Sequence, residues 1–112
     1  RLIKSFCKEF GKKCNFILQP VYSLKNQNFR HEYEVDYHSN IPFKNYELAQ
    51  EKFFITAGEE FKKLNKIDKD ILFYDMSSLF EYDKELTFLD IIHYSSYANQ
   101  KISEEITRLI EK

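Results

Sequence analysis

The sequence lacks the features that would assign it to a membrane or to nucleic acid. No apolar run approaches the roughly 20 residues that a membrane-spanning helix needs, so we expect no membrane span. The formal charge is -1, and Lys and Arg are interleaved with Asp and Glu rather than grouped. Because no field of one sign results, neither nucleic acid nor an anionic membrane is expected as a partner.

Cysteine is also scarce. The two cysteines, Cys7 and Cys14, have neither the spacing of a zinc site nor the number that a disulfide framework requires. We therefore expect both to be reduced and buried as small hydrophobic residues, which is typical of cytoplasmic proteins. The sequence begins at Arg1 inside a helical pattern, so we expect it to be a piece of a longer chain. No targeting signal indicates a compartment.

The chain does contain enough apolar and aromatic side chains for a packed core. Apolar residues make up 43% of it, with 11 Phe and 8 Tyr. Its length of 112 residues is the usual size of one small domain. We found no internal repeat and no linker, so residues 1–112 are predicted to form a single domain.

Apolar periodicity predicts the order helix, strand, helix, strand, helix. Helical spacing covers 1–12, 46–64 and the C-terminal part of the chain, whereas Phe16–Leu18 and Ile71–Asp75 are short continuous apolar runs. Such runs predict strands that are buried on both faces, as in a parallel sheet.

Single residues mark the ends of these elements. Gly11 is placed to stop the first helix, and Gly58 is expected to weaken the second and to break it in two. Ser95 or Ser96 is the expected N-cap of the last helix.

Alternating helices and strands indicate right-handed crossovers on a parallel sheet with helices on both faces. Two strands cannot bury two apolar faces and two edges by themselves. We therefore predict an α/β fold that is the C-terminal part of a doubly wound, flavodoxin-like sheet. Ligands in such sheets bind at the carboxyl ends of the strands, so Gln19 and Tyr22, which follow the first strand, are predicted to contact substrate.

Residues 22–40 are polar and aromatic without a period, and they are predicted to form a long loop of the kind that often carries function. Several side chains in it are of types that bind divalent ions. They are His31, Glu32, Glu34, Asp36 and His38. Because a loop without a period imposes no ligand geometry, a solvated polar loop is the simpler interpretation, and we predict neither a metal nor a cofactor.

Asp90 and His93 are the strongest candidates for a chemical role. Their spacing of three in a turn puts both side chains on one side of the backbone. A carboxylate there can accept from one imidazole nitrogen and leave the other facing outward, which is how a general base is held in the right tautomer. A local hydrogen bond that merely fixes the start of the last helix is the alternative interpretation.

The segment around this pair resembles the last motif block of the SGNH (GDSL-type) hydrolases. The matching residues are Phe88 to His93, a few polar residues, Asn99 and the closing amphipathic helix, with Ala98 where the family usually has glycine. The stretches FILQPV and ILFYDMSSLF resemble the two strands that precede that block. The resemblance implies a Ser-His-Asp triad for ester hydrolysis, in which His93 is the general base and Asp90 orients it.

The sequence lacks the other half of that active site. Gly11 and Gly58 are its two glycines, and neither belongs to the family's G-D-S nucleophile block or its G-x-N-D oxyanion block. None of its serines has the strand-to-helix elbow that exposes a nucleophile. We therefore predict that the chain supplies the Asp-x-x-His half of a serine ester hydrolase whose substrate is a small acyl ester, for example an acetyl group on a saccharide. The alternative is a non-catalytic α/β module that binds a partner through residues 22–40.

Overall fold

The computed structural model describes residues 2–11, 13–40, 44–68 and 70–111. Within these ranges the chain forms four α-helices and two β-strands. The helices are α1 (Leu2–Glu9), α2 (Glu32–Asn40), α3 (Lys44–Ile67) and α4 (Ser96–Ile110), and the strands are β1 (Asn15–Leu18) and β2 (Leu72–Asp75). Two 3-10 turns, Tyr22–Leu24 and Gln27–Phe29, lie between β1 and α2. The predicted order of helices and strands is confirmed, with α2 in addition.

The two strands form a parallel sheet that carries a helix on each face. Phe16 lies opposite Phe73 in the register, and the two rings stack with their centroids 5.3 Å apart. Phe73 also meets Phe61 of α3 edge to face at 5.3 Å. Successive side chains of a strand point to opposite faces, and the Tyr74 hydroxyl accordingly donates to the Leu109 carbonyl of α4, at 3.5 Å. The predicted parallel pair with helices on both sides is confirmed.

The prediction that the strands are buried on both faces is wrong. Every residue of β1 is partly exposed, and so are the first three residues of β2, while Asp75 is exposed. The physical reason is the size of the sheet. Over the residue ranges described above, the sheet has two strands, so each strand has one unpaired edge, and a single helix cannot cover a whole face.

The prediction of a long irregular loop over residues 22–40 is wrong. These residues include α2 and the two 3-10 turns. Glu34 is the one described residue of α2 that is fully buried. A helix whose buried position is a carboxylate has no apolar stripe, and apolar periodicity therefore could not reveal it.

Helix α3 passes through Gly58 without a break, contrary to the prediction. A Cβ at Gly58 would overlap the carboxylate of Asp75, so glycine allows α3 to approach the end of β2 closely. Further along α3, the Asn65 side chain donates to the Phe73 carbonyl at 2.8 Å and accepts from the Phe73 N–H at 3.0 Å. These tertiary contacts override the low helix propensity of glycine.

The expectation of reduced cysteines is also wrong, because Cys7 and Cys14 form a disulfide. Gly11 adopts a φ of 58°, which ends α1 as predicted and turns the chain back toward β1. The Cα atoms of the two cysteines therefore lie 6.1 Å apart, a separation that a disulfide accommodates. The cytoplasmic location was inferred from reduced cysteines and loses that support.

The buried core lies beside the carboxyl end of the sheet rather than between the sheet and a helix. It is formed by Tyr22, Phe80, Phe88 and Ala98, with Tyr37, Leu79, Ile91, Tyr94 and Ile102 packed against it. The rings of Tyr22 and Phe80 both meet Phe88 edge to face, at 5.8 and 5.9 Å. The hydroxyl of Ser95 accepts from the Ala98 N–H, so Ser95 is the N-cap of α4 as predicted.

No helix in the described ranges is long and apolar enough to cross a bilayer.

Candidate active site

Asp90 and His93 lie at the tip of a short hairpin that precedes α4. Its base is an antiparallel bridge between Phe88 and Tyr94, and the Leu89 N–H donates to the His93 carbonyl at 2.9 Å inside it. Because backbone bonds close the hairpin, its tip is held as a defined turn.

The Asp90 carboxylate closes this turn through both of its oxygens. Its Oδ1 accepts from the backbone N–H groups of Ile92 and His93, at 2.8 and 2.7 Å. Its Oδ2 lies 2.7 Å from Nδ1 of His93, which is the hydrogen bond predicted from the spacing. Burial alone would raise the pKa of this carboxyl, but the hydrogen bonds from Ile92 and His93 together hold the pKa below its ordinary value. Asp90 is therefore an anion at neutral pH.

An anionic carboxylate can only accept hydrogen bonds, so Nδ1 of His93 carries the proton in this contact. In the neutral form of the imidazole Nε2 is then the nitrogen without a proton, and the side chain is 68% exposed. Among the residues that the structure describes, the imidazole is hydrogen-bonded to Asp90 alone. This arrangement suits a general base for a group that approaches from outside. The turn-fixing alternative uses the other carboxylate oxygen, so the two interpretations are compatible.

An apolar groove of about 380 Å³ lies next to the hairpin. It is lined by Gln19, Tyr46, Ala49, Gln50, Phe53, Phe54 and Ile92. Ile92 belongs to the turn itself, and Gln19 follows β1, so the groove connects the hairpin with the carboxyl end of the sheet. The Gln50 side chain links α3 to the hairpin by donating to the Ile91 carbonyl at 3.2 Å.

Tyr22 does not line this groove, although it was predicted with Gln19 to contact substrate. It is fully buried in the core, where its hydroxyl donates to the backbone carbonyl of Glu34 at 3.1 Å. Burial is the main reason that the pKa of Tyr22 is raised. Of the two predicted substrate contacts, the structure therefore brings only Gln19 near the Asp90–His93 pair.

A buried ionic network beneath the hairpin escaped sequence analysis. The Lys25 ammonium lies 2.6 Å from Oε1 of Glu34, and both side chains are 0% exposed. Lys25 also donates to the Thr87 hydroxyl and to the Glu85 carbonyl, each at 2.9 Å. Oε2 of Glu34 accepts from the Thr87 hydroxyl at 3.0 Å and from the Phe88 N–H at 3.2 Å. No local pattern in the sequence relates residues so far apart in the chain.

The candidate metal ligands of residues 22–40 are not brought together. In the described parts of the chain, no group of three or more His, Cys, Asp or Glu side chains is arranged to hold a metal ion. The interpretation of all five as solvated residues is wrong for Glu34, which binds Lys25 in the core. His38 is half-buried, and its Nδ1 lies 3.2 Å from Oε2 of Glu47.

No protein-family model matches the chain, and no curated protein or solved structure matches it at a significant level.

Proposed function

We propose that this chain supplies the histidine and aspartate of a serine ester hydrolase of SGNH type. The substrate is a small acyl ester, for example an acetyl group on a saccharide. The attacking serine and the oxyanion donors come from sequence outside these 112 residues. The observation that carries the proposal is the 2.7 Å contact between Oδ2 of Asp90 and Nδ1 of His93, with the rest of the imidazole open to solvent.

The proposed reaction gives the two nitrogens of His93 separate roles. Nε2 takes the proton of the serine hydroxyl as the serine oxygen attacks the ester carbonyl, and the same proton then passes to the departing alcohol. In the second half, Nε2 takes a proton from a water molecule whose oxygen attacks the acyl carbonyl. The bond to the serine oxygen then breaks, the proton passes from Nε2 to that oxygen, and the carboxylic acid leaves. Asp90 accepts from Nδ1 throughout, and its charge stabilises the imidazolium that forms in each step.

The position of the pair in the fold supports this role. The Tyr94 hydroxyl, next to His93, donates to the Pro20 carbonyl just after β1, at 2.6 Å. The hairpin therefore lies at the carboxyl end of the sheet, where doubly wound α/β proteins bind their ligands. We propose that β1 and β2 belong to a larger flavodoxin-like sheet, and their partly exposed side chains and unpaired edges are consistent with further strands.

A second candidate is a non-catalytic module that binds a partner through residues 22–40. The observation in its favour is that α2 exposes Tyr33 and Val35, each about half exposed. Under this proposal the hydrogen bond between Asp90 and His93 would only fix the hairpin.

The test is ester hydrolysis by the full-length protein with a chromogenic short-chain acyl ester. We expect His93→Ala to lower kcat by several orders of magnitude and Asp90→Asn to lower it by roughly 10⁴-fold, with little change in KM. His31→Asn is the matched control, because His31 is an exposed histidine just before α2 and asparagine can still accept from the Tyr33 N–H as the imidazole does.

Two results would contradict the proposal. Full ester turnover by His93→Ala would show that His93 is not the base. If a serine-reactive phosphonate labelled a serine of the isolated 112-residue chain, the nucleophile would lie within these residues.

A further inference from the structure

Helix α2 lies beneath the hairpin and contacts its backbone at two points. Oε2 of Glu34 accepts from the Phe88 N–H at the base of the hairpin, at 3.2 Å. The Tyr37 hydroxyl accepts from the Ile91 N–H near the tip, at 3.3 Å. Glu34 and Tyr37 are three residues apart, so they lie on the same face of α2. The two contacts together fix both the position and the tilt of the hairpin relative to α2.

We propose that α2 is the positioning element of the Asp90–His93 pair, acting through Glu34 and Tyr37. This inference rests on the proposed function for its effect on catalysis. Neither residue touches the imidazole, so both act through the hairpin backbone. The hydrogen bond between Asp90 and His93 sets the tautomer as long as the hairpin keeps its shape, and the contacts of α2 to Phe88 and Ile91 hold that shape. The contacts of α2 set where that imidazole points relative to the rest of the active site.

The charge of Glu34 explains why this support is rigid. A carboxylate in the core needs several partners, and Glu34 accepts from Lys25, Thr87, Phe88 and His31, the last through its backbone N–H at 2.8 Å. Moving the base of the hairpin would break the contacts to Thr87 and Phe88 together and leave buried charge poorly paired. Such displacement is strongly opposed in a low-dielectric interior.

The other contacts to the hairpin act in the same direction but come from different elements. Gln50 of α3 donates to the Ile91 carbonyl, so both polar groups of the Ile91 backbone are held by side chains. The rings of Tyr37 and Tyr22 meet edge to face at 5.6 Å, which fixes the Tyr37 side chain against the core. The hairpin is therefore held near its tip as well as at its base.

The first experiment compares Tyr37→Phe with Tyr33→Phe in the full-length protein. Tyr37→Phe removes one hydroxyl and keeps the ring in the core, whereas Tyr33 is an exposed tyrosine of the same helix. We expect Tyr37→Phe to lower kcat roughly tenfold with little change in KM, because one backbone hydrogen bond to the hairpin is lost. Tyr33→Phe should leave kcat unchanged.

The second experiment separates positioning from folding at Glu34. Lys25→Met combined with Glu34→Leu replaces the ion pair by apolar groups of similar volume, an exchange that other buried pairs tolerate. It leaves the Phe88 N–H without an acceptor. Lys25→Met combined with Glu34→Gln retains an amide oxygen that can accept from Phe88. We expect the leucine variant to lose on the order of 10²-fold in kcat, the effect of a displacement of about 1 Å, and the glutamine variant to retain most of it.

A spectroscopic measurement makes the test independent of ester turnover. The chemical shifts of the two ring nitrogens of His93 report its tautomer. In the unmodified protein they should show Nδ1 protonated. In the leucine variant the shifts should move toward the average of a free histidine, and in the glutamine variant they should not.

Different results overturn the two ideas separately. If the unmodified protein shows no ester hydrolysis, the proposed function fails, and the nitrogen shifts still test the positioning. If the unmodified protein hydrolyses esters, and Tyr37→Phe and the leucine variant keep both its kcat and its His93 shifts, the positioning role of α2 is refuted. Should the leucine variant fail to fold, amide exchange in the unmodified protein decides. A Phe88 N–H that exchanges as fast as an open loop refutes the proposal, and a protected one supports it.

Discussion

Replacing Gly58 with alanine should destabilise the protein, although alanine is the better helix former. Gly58 lies inside α3, where alanine is favoured over glycine by roughly 0.5–1 kcal/mol. The added Cβ would overlap the Asp75 carboxylate, so that carboxylate has to move. Moving it breaks the hydrogen bonds that Oδ1 of Asp75 accepts from the backbone N–H and the hydroxyl of Ser77.

The balance of these effects decides the sign. Each lost hydrogen bond costs roughly 1 kcal/mol, so losing two outweighs the gain in helix propensity. We expect the free energy of unfolding to fall by about 1 kcal/mol, measured by urea denaturation, with the dependence of that free energy on urea concentration unchanged. In an Asp75→Ala background the obstacle is gone, and the same Gly58→Ala change should instead stabilise by roughly 0.5–1 kcal/mol.

The reversal of sign between the two backgrounds is the decisive observation, because it isolates the coupling between Gly58 and Asp75. If Gly58→Ala stabilises the protein while Asp75 is present, the carboxylate has room to move. The close approach of α3 to the end of β2 would then not be the reason for glycine at this position.

Three further predictions concern separate parts of the molecule. Replacing Cys7 and Cys14 together with serine should lower the free energy of unfolding by about 2–3 kcal/mol, as expected for a short disulfide loop. A reducing agent should lower the melting temperature of the unmodified protein and leave that of the double variant unchanged. The hydrogen bond to Asp83 is the main reason that the pKa of Tyr97 is raised from 10.0 to about 12. This contribution to stability is therefore fully present below pH 10.0 and is lost as the pH rises through about 12. Burial also raises the pKa values of Tyr22 and Tyr94, so a tyrosinate absorbance titration should show several late-ionising groups, one of which ionises earlier after Asp83→Asn. Ser95→Ala should lower the free energy of unfolding by roughly 1 kcal/mol through loss of the N-cap, whereas Ser96→Ala, at an exposed position, should have little effect. Equal losses of stability at both positions would contradict the capping role.

Local features of this chain were predictable from the sequence. The stop at Gly11, the cap at Ser95 and the contact between Asp90 and His93 each depend on residues within a few positions of one another. The order of helices and strands was predictable for a similar reason, because apolar periodicity reflects which face of each element is covered.

Features that depend on distant partners were decided by the tertiary structure. Glu34 is charged and belongs to a polar segment, and only the fold brings Lys25 and Thr87 to its carboxylate. Tyr22 was expected at the binding edge because it follows β1, but the 3-10 turn that begins there places its ring in the core.

The disulfide and the continuity of α3 follow the same rule. The number of cysteines does not tell how far apart they lie. The pairing of Cys7 with Cys14 could be recognised only once the turn at Gly11 was seen to bring them together. Helix propensity likewise disfavours Gly58, yet the approach of Asp75 makes glycine the residue that fits. The sequence by itself determined the local geometry of the Asp90–His93 pair. The tertiary structure decided which helix lies beneath it, because that depends on burying a charge beside partners distant in the chain.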